Sequence, residues 1–196
     1  DVTTTLGKNQ TLLVGDIPEN GSYKVDATAS DSSNVVYSGN DNGTIVYQSN
    51  RNVGDTASTD AKMPLSGTVS ASFTASGEGD LTIAPATVYA DNPGGTAYNA
   101  AMADIKSLAL NTGDFVDANT GNGNTIKVGS NGTVGDGGNV SNNQMYGTSS
   151  ITAEGNGDVV LMTAVGNRAM DTLTVSASGL AEGSFTMETV SSMSLL

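Results

Sequence analysis

A strict two-residue alternation between Leu65 and Ser76 constrains the fold more than any other feature of this sequence. Leu, Gly, Val, Ala and Phe occupy every second position, and Ser or Thr occupies the positions between them. Because successive side chains of a β-strand point to opposite faces, this pattern predicts a strand with one buried face and one solvated face. Ser22–Thr28 and Thr172–Ser178 repeat it. Shorter apolar segments predict further strands at Val2–Leu6, Thr11–Val14, Leu81–Tyr89, Val159–Ala164 and Ser184–Val190. Residues 114–143, which are rich in Gly and Asn, form either a long ordered loop or a set of very short strands.

Asn-Gly dipeptides predict the turns between these strands. The pairs begin at Asn20, Asn42, Asn122, Asn131 and Asn156. This dipeptide favours tight hairpins because both residues tolerate positive φ. Val35–Tyr37 and Ile45–Tyr47 flank one such loop, so the sequence predicts that they pair as an antiparallel hairpin. We find no regular internal repeat of the kind that marks solenoid proteins.

One segment departs from the two-residue rhythm. Between Thr96 and Asn111, the residues Ala101, Ile105 and Leu108 have the spacing of one helical face. The sequence therefore predicts a mainly β protein, an antiparallel β-sandwich of plain or jelly-roll type, with one short inserted helix near 96–111. We expect residues 1–196 to form a single domain of this kind.

The charge of the chain argues against two classes of partner. Seven basic residues stand against 20 acidic ones, which gives a formal net charge of −13. Nucleic-acid binding needs Lys and Arg to neutralise phosphates, and an anionic membrane surface repels an acidic chain. No apolar run approaches the ~20 residues that a membrane-spanning helix requires. We therefore expect neither a nucleic-acid partner nor a membrane span.

The chain also lacks the residues that most enzymes use. It contains neither His nor Cys, which excludes His-based catalytic triads, thiol nucleophiles and thiolate zinc sites. Aromatic residues make up only 5% of the chain, so the platforms that hold sugar rings in glycosidase clefts are scarce. The sequence predicts a protein that is not an enzyme and needs no organic cofactor.

Calcium is the one metal that the sequence leaves open, through oxygen ligands in loops. Asp117 begins a run that resembles the start of an EF-hand loop, but Asn122 replaces the required Gly and Val128 the bidentate Glu. Asp and Asn in such loops also bond their own backbone, which is the competing explanation. The candidate ligands are Asp114, Asp117, Asn119 and, in a second loop, Asp41.

Five Asn-X-Ser/Thr sequons are candidate glycosylation sites, although a chain so rich in Asn, Ser and Thr produces about this number by chance. They lie at Asn9, Asn20, Asn42, Asn131 and Asn139.

These observations favour a non-catalytic structural subunit that polymerises with copies of itself outside the cell. The chain begins at Asp1 rather than Met, which we interpret as removal of a signal peptide. We expect a pilus-like filament, a sheath or a surface layer, with subunits joined by donation of a terminal strand. The residues expected at this contact are Val2, Thr4, Leu6, Leu195 and Leu196.

Three alternatives remain open at this stage. The chain could be a secreted adhesin or carbohydrate-binding module, an ice-binding protein, or a virion component such as a capsid, decoration or tail-tube protein. Both termini could also be ordinary outer strands of one subunit's own sheet.

Overall fold

The computed structural model describes residues 2–18, 21–27, 30, 32–49, 69–85, 87–89, 97–99, 105–129, 148–163 and 172–189. Strands dominate these residues. They are β1 (Val2–Thr5), β2 (Gln10–Val14), β3 (Tyr23–Ala27), β4 (Ser32–Tyr37), β5 (Gly43–Ser49), β6 (Val69–Ala75), β7 (Leu81–Pro85), β8 (Thr87–Tyr89), β9 (Ala97–Asn99), β10 (Ile105–Asn111), β11 (Ile126–Val128), β12 (Thr148–Gly155), β13 (Val159–Thr163), β14 (Thr172–Leu180) and β15 (Phe185–Thr189).

Two large parallel sheets form the body of the protein. Sheet A has the order β1-β3-β5-β7-β11-β13-β15, and sheet B has the order β14-β12-β10-β6-β4-β2. Apart from the small antiparallel pair β8–β9, the chain places successive strands alternately in the two sheets. Each turn of the chain therefore adds one strand to each sheet. This is the winding of a two-sheet parallel β-solenoid.

Equivalent residues of successive coils stack in register. In sheet A, Tyr23 pairs with Ile45, Ile45 with Ile83, and Ile83 with Val128. The distance along the sequence between paired residues is far from constant: Tyr23 and Ile45 are 22 residues apart, whereas Ile83 and Val128 are 45 apart. Insertions of different length between strands hide the repeat from the sequence while leaving the register intact.

The core is a series of apolar columns between the two sheets. Aliphatic residues fill most of it, and Tyr37, Tyr47 and Phe73 are its largest fully buried side chains. The rings of Tyr47 and Phe73 meet edge to face, with centroids 5.0 Å apart and an interplanar angle of 83°. Such T-shaped pairs contribute beyond the area they bury. Small aliphatic side chains suffice elsewhere because each inner coil is covered by its neighbours on both sides.

Glycine permits the tight corners at which the chain passes from sheet B to sheet A. A Cβ atom on Gly157 would lie 1.8 Å from the carbonyl oxygen of Asn124 in the preceding coil. A Cβ on Gly77 would lie 2.1 Å from the carbonyl oxygen of Gly39. No side chain fits at these distances, so the corners of adjacent coils can stack only through glycine.

The predicted antiparallel sandwich is wrong. All strand pairs of the two large sheets are parallel, and the predicted hairpin does not form, because Val35–Tyr37 belongs to sheet B and Ile45–Tyr47 to sheet A. The Asn-Gly pair between them lacks the positive φ of a hairpin turn. Position 43 instead requires Gly because a Cβ atom there would lie 2.6 Å from the Cζ atom of the Tyr37 ring. Alternation predicts a strand but not the direction of its partner.

The predicted helix near 96–111 is also wrong. Ala97–Asn99 and Ile105–Asn111 are strands, and β10 lies between β6 and β12 in sheet B. Leu108 and Leu110 are buried there, whereas Ser107 and Ala109 are exposed. The segment contains both a helical and a two-residue pattern, and the parallel neighbours on either side select the extended form.

The other predicted strands are present where the structure describes them, including the alternation over Val69–Ala75, but the predicted strand Leu81–Tyr89 is two strands, β7 in sheet A and β8 in the small antiparallel pair. Among the described residues, no helix is long and apolar enough to cross a membrane.

Candidate binding and assembly surfaces

The outer face of sheet B carries a regular array of short polar side chains, which we call the hydroxyl face. Strand register places its outward residues in columns that cross the strands. The first column consists of Ser32, Ser70, Ser107, Ser150 and Thr174. The second consists of Thr11, Asn34, Ser72, Ala109, Thr152 and Ser176. No aromatic residue occurs among these outward residues.

Side-chain hydrogen bonds connect part of the second column. The Oγ of Ser72 donates to the Oδ1 of Asn34 over 2.8 Å, and the Nδ2 of Asn34 donates to the Oγ1 of Thr11 over 3.3 Å. These bonds fix the rotamers of neighbouring side chains. The column therefore presents its polar groups at defined positions.

The core beneath the hydroxyl face holds it in place. Val35, Phe73, Leu108 and Ile151 alternate with its residues and are at most 1% exposed. Side chains on such a sheet repeat at about 4.8 Å across the strands and about 6.7 Å along them. The two columns therefore hold mostly hydroxyl groups on a rigid support. The next column of the same face consists of Leu13, Val36, Thr74, Asn111 and Glu154.

Both ends of the solenoid expose strand edges and apolar side chains. Among the described strands, β1 and β2 have a neighbour on one side only, and so do β14 and β15. These four strands form the end coils. They carry four of the five exposed large apolar residues of the described chain: Val2 (54% exposed), Leu13 (72%), Val175 (38%) and Met187 (42%). The fifth, Val116, lies in the long corner after β10.

Carboxylate and amide oxygens link the coils at the corners through hydrogen bonds that we call the corner ladder. The Oδ1 of Asp80 accepts the N–H of Thr125 over 2.7 Å. The Oδ1 of Asp158 accepts both the N–H and the Oγ–H of Ser184, over 2.7 and 2.8 Å. These acidic side chains satisfy backbone donors of the next coil, where the chain turns and the sheet hydrogen bonds are interrupted. Much of the acidity at this edge is therefore structural.

The predicted calcium ligands take part in hydrogen bonds within the protein. Asp117 Oδ1 accepts the N–H of Asn119 over 2.7 Å, and this bond is the main cause that lowers the pKa of Asp117. The backbone carbonyl of Asp41 accepts a hydrogen bond from the hydroxyl of Tyr37, and that of Asp114 accepts one from Asn156 Nδ2. No group of three or more acidic side chains that could hold a metal ion occurs in the described part of the chain. Calcium binding stays a prediction.

Two buried tyrosines have raised pKa values. Burial raises the pKa of Tyr47 to about 12, although a hydrogen bond from Ser33 partly opposes the shift. The two hydroxyl oxygens lie 2.6 Å apart in the core. Burial also raises the pKa of Tyr37, assisted by the negative charges of Asp16 and Asp41. Both phenols are thus held neutral in the core.

The predicted assembly residues at the start of the chain belong to its own sheet. Strand β1 pairs in parallel with β3, and Leu6 is buried at 3% exposure. Thr4 Oγ1 lies 2.6 Å from the hydroxyl of Tyr23, while Val2 remains exposed. Leu195 and Leu196 lie outside the described residues.

Two of the five predicted glycosylation sequons lie within the described residues. Asn9 is exposed in the turn between β1 and β2, with φ of 55°. Asn42 is exposed, but its Oδ1 accepts the N–H of Asp80 over 3.0 Å. Asn20, Asn131 and Asn139 lie outside the described residues.

Sequence reasoning identified the alternating strands but missed both the hydroxyl face and the corner ladder. The Ser and Thr positions of each strand were visible, but their alignment into columns depends on the register between distant segments. No family model, curated protein or solved structure matches this chain.

Proposed function

We propose that the protein is a non-catalytic structural subunit that assembles outside the cell by stacking its end coils against those of further copies. The observation that carries the proposal is the concentration of exposed large apolar side chains in the end coils. Large apolar surface of this kind marks contact sites in soluble proteins. The absence of His and Cys from the sequence supports a role without catalysis.

Three of these side chains occupy columns that the core buries elsewhere. Val175 is in register with Ile151, and Met187 with Leu161. Ile151 and Leu161 are each 1% exposed because another coil covers them. Val2 is in register with Tyr23, which continues to the fully buried Ile45. A further coil at either end would cover these residues in the same manner.

The geometry of the edges determines what such an assembly looks like. Edge strands present unpaired N–H and C=O groups that another strand can bind. If β15 of one copy pairs with β1 of the next, both sheets continue with all strands parallel. This contact joins two different surfaces, so it repeats without closing and produces a filament. Strand β1 stays in its own subunit, so the contact is edge pairing rather than donation of Val2–Leu6.

Charge should regulate the assembly. A net charge of −13 makes copies of the chain repel one another, and salt screens that repulsion over a Debye length of about 8 Å at physiological ionic strength. Filament growth should therefore increase with ionic strength. An assembly that grows outside cells would meet such conditions in saline surroundings.

Light scattering combined with negative-stain electron microscopy tests the proposal over a series of salt and protein concentrations. We expect filaments in the wild type and their loss in Val175→Asp and Met187→Glu. Val116→Asp is the matched control, because Val116 is as exposed as Met187 at 42% but lies in a corner. A wild type that remains monomeric throughout, or equal loss in all three variants, would overturn the proposal.

The hydroxyl face favours a second candidate function, the binding of a periodic, uncharged surface such as ice. Ice offers a regular lattice of oxygen atoms, and a rigid array of hydroxyl groups can bond to it repeatedly. Carbohydrate platforms generally use aromatic stacking, which the described outward residues of sheet B do not provide. Thermal hysteresis and ice-recrystallisation assays would compare Thr152→Lys with the control Thr186→Lys, an exposed Thr on sheet A. Unchanged ice growth with the wild type would exclude this function.

A further inference from the structure

Three Asn-Gly pairs lie within the described residues, and their surroundings differ in one chemical respect. An Asn-Gly pair can lose ammonia when the Gly nitrogen attacks the Asn side-chain carbonyl carbon, since Gly offers no side chain to obstruct the approach. The attack requires a free Gly N–H and a side-chain amide that can rotate toward it. The pairs begin at Asn42, Asn122 and Asn156.

Hydrogen bonds occupy both reacting groups at two of the pairs. At Asn42, the side-chain Oδ1 accepts the N–H of Asp80 over 3.0 Å, and the N–H of Gly43 donates to the Asp80 carbonyl over 2.9 Å. At Asn156, the Nδ2 donates to the carbonyl of Asp114 over 3.1 Å. The N–H of the following Gly157 donates to the buried Oγ1 of Thr112 over 2.8 Å. Each reaction would first have to break these bonds.

Asn122 and Gly123 carry no such bonds on their reacting groups within the described structure. Asn122 is exposed in the long corner between β10 and β11. Its backbone N–H donates to Thr120 Oγ1 over 3.3 Å. Its backbone carbonyl accepts the N–H of Asp117 over 2.8 Å. That second bond withdraws electron density from the Asn122–Gly123 peptide and makes the Gly123 N–H more acidic.

We propose that Asn122 is a site of spontaneous modification, which converts through a succinimide to aspartate and isoaspartate with water as the only other reactant. The Gly123 nitrogen loses its proton and forms a bond to the Asn122 Cγ, and the side-chain nitrogen leaves as ammonia. Water then opens the ring at either carbonyl. Attack at the side-chain carbonyl restores a normal backbone with aspartate, and attack at the other carbonyl yields isoaspartate.

The modification alters a corner that packs closely on the next coil. A Cβ on Gly123 would lie 2.6 Å from the backbone of Asn156, so this point of the chain has little room to move. Isoaspartate inserts a methylene group into the backbone beside it. Either product also adds a negative charge to a segment that already holds Asp114 and Asp117.

Peptide mass spectrometry after incubation of the folded protein at mildly alkaline pH tests the proposal, with isoaspartyl methyltransferase labelling as a second readout. We expect conversion at Asn122 to be roughly tenfold faster than at Asn42 or Asn156, which corresponds to about 1.4 kcal/mol in activation free energy. In urea, the three sites should convert at similar rates. The wild-type molecule thus supplies its own controls.

Thr112→Val removes the acceptor of the Gly157 N–H and should accelerate conversion at Asn156 while leaving Asn122 unchanged. Circular dichroism would verify that this variant remains folded. A rate at Asn122 in the folded wild type that is no faster than the rates at Asn42 and Asn156 would overturn the proposal.

Discussion

Replacement of Tyr47 by Phe should make the protein less stable than the wild type near pH 8 and more stable than the wild type near pH 12. Tyr47 is fully buried, and its hydroxyl lies 2.6 Å from that of Ser33, which is 3% exposed. At neutral pH the substitution leaves the Ser33 hydroxyl without its partner. We therefore expect the variant to be less stable by about 1–2 kcal/mol near pH 8.

Ionisation changes the balance above pH 10. The folded-state pKa of Tyr47 is raised from 10.0 to about 12, so the unfolded chain releases this proton before the folded chain does. The stability that the neutral phenol contributes is fully present below pH 10 and is lost as the pH rises from 10 to 12. Two pKa units correspond to about 3 kcal/mol. Near pH 12, where about 2.3 kcal/mol of this has been lost, the Phe variant should therefore be the more stable protein by about 0.5–1 kcal/mol.

Urea denaturation at a series of pH values between 8 and 12 would measure the difference in unfolding free energy between the two proteins. The Ser33→Ala variant separates the two effects. It removes the same hydrogen bond but retains the phenol, and because that bond lowers the pKa of Tyr47, the alkaline loss should persist. A difference between wild type and Tyr47→Phe that stays constant over this pH range would refute the reasoning.

Three further substitutions test the packing of the coils, each by its urea denaturation midpoint. Gly157→Ala places a methyl group 1.8 Å from the Asn124 carbonyl and should lower the free energy of unfolding by about 3 kcal/mol. The control Gly15→Ala, with open space around its Cβ, should change it by less than about 0.5 kcal/mol. Similar effects at both positions would contradict the stacked corners. Phe73→Ala empties a fully buried site and should cost about 3–5 kcal/mol, so a loss below about 1 kcal/mol would mean that the ring is not enclosed. Asp158→Ala removes an acceptor of two hydrogen bonds and should cost about 1–2 kcal/mol, and wild-type stability in this variant would argue against the corner ladder.

The sequence predicted the strands well because alternation is a local property. Each pair of neighbouring side chains on a strand points to opposite faces whatever its partner is, so Val69–Ala75 and Tyr23–Ala27 were identified without knowledge of the fold. The same local reasoning failed at Ile105–Asn111, where Ile105 and Leu108 fit a helix and Leu108 and Leu110 fit a strand. Only the neighbours β6 and β12 decide between the two patterns.

The candidate sites were less accessible to sequence reasoning. The chain's acidity and its lack of His and Cys could be read directly from the composition. The apolar residues Val175 and Met187 looked like ordinary inward positions of two strands, and their exposure follows from their place in the last described coil. Asp158 looked like a loop residue, and its role in holding Ser184 depends on the stacking of two corners.

By itself, the sequence determined that the protein is built from strands, which faces of those strands are buried, and that catalysis by His or Cys is excluded. Tertiary structure alone decided that the strands run parallel, that they alternate between two sheets, and that Ser and Thr residues from distant segments align in columns. The physical reason is that side-chain alternation operates between adjacent residues. Parallel register instead pairs residues 21 to 45 positions apart in sheet A, across insertions that carry no local trace of the pairing.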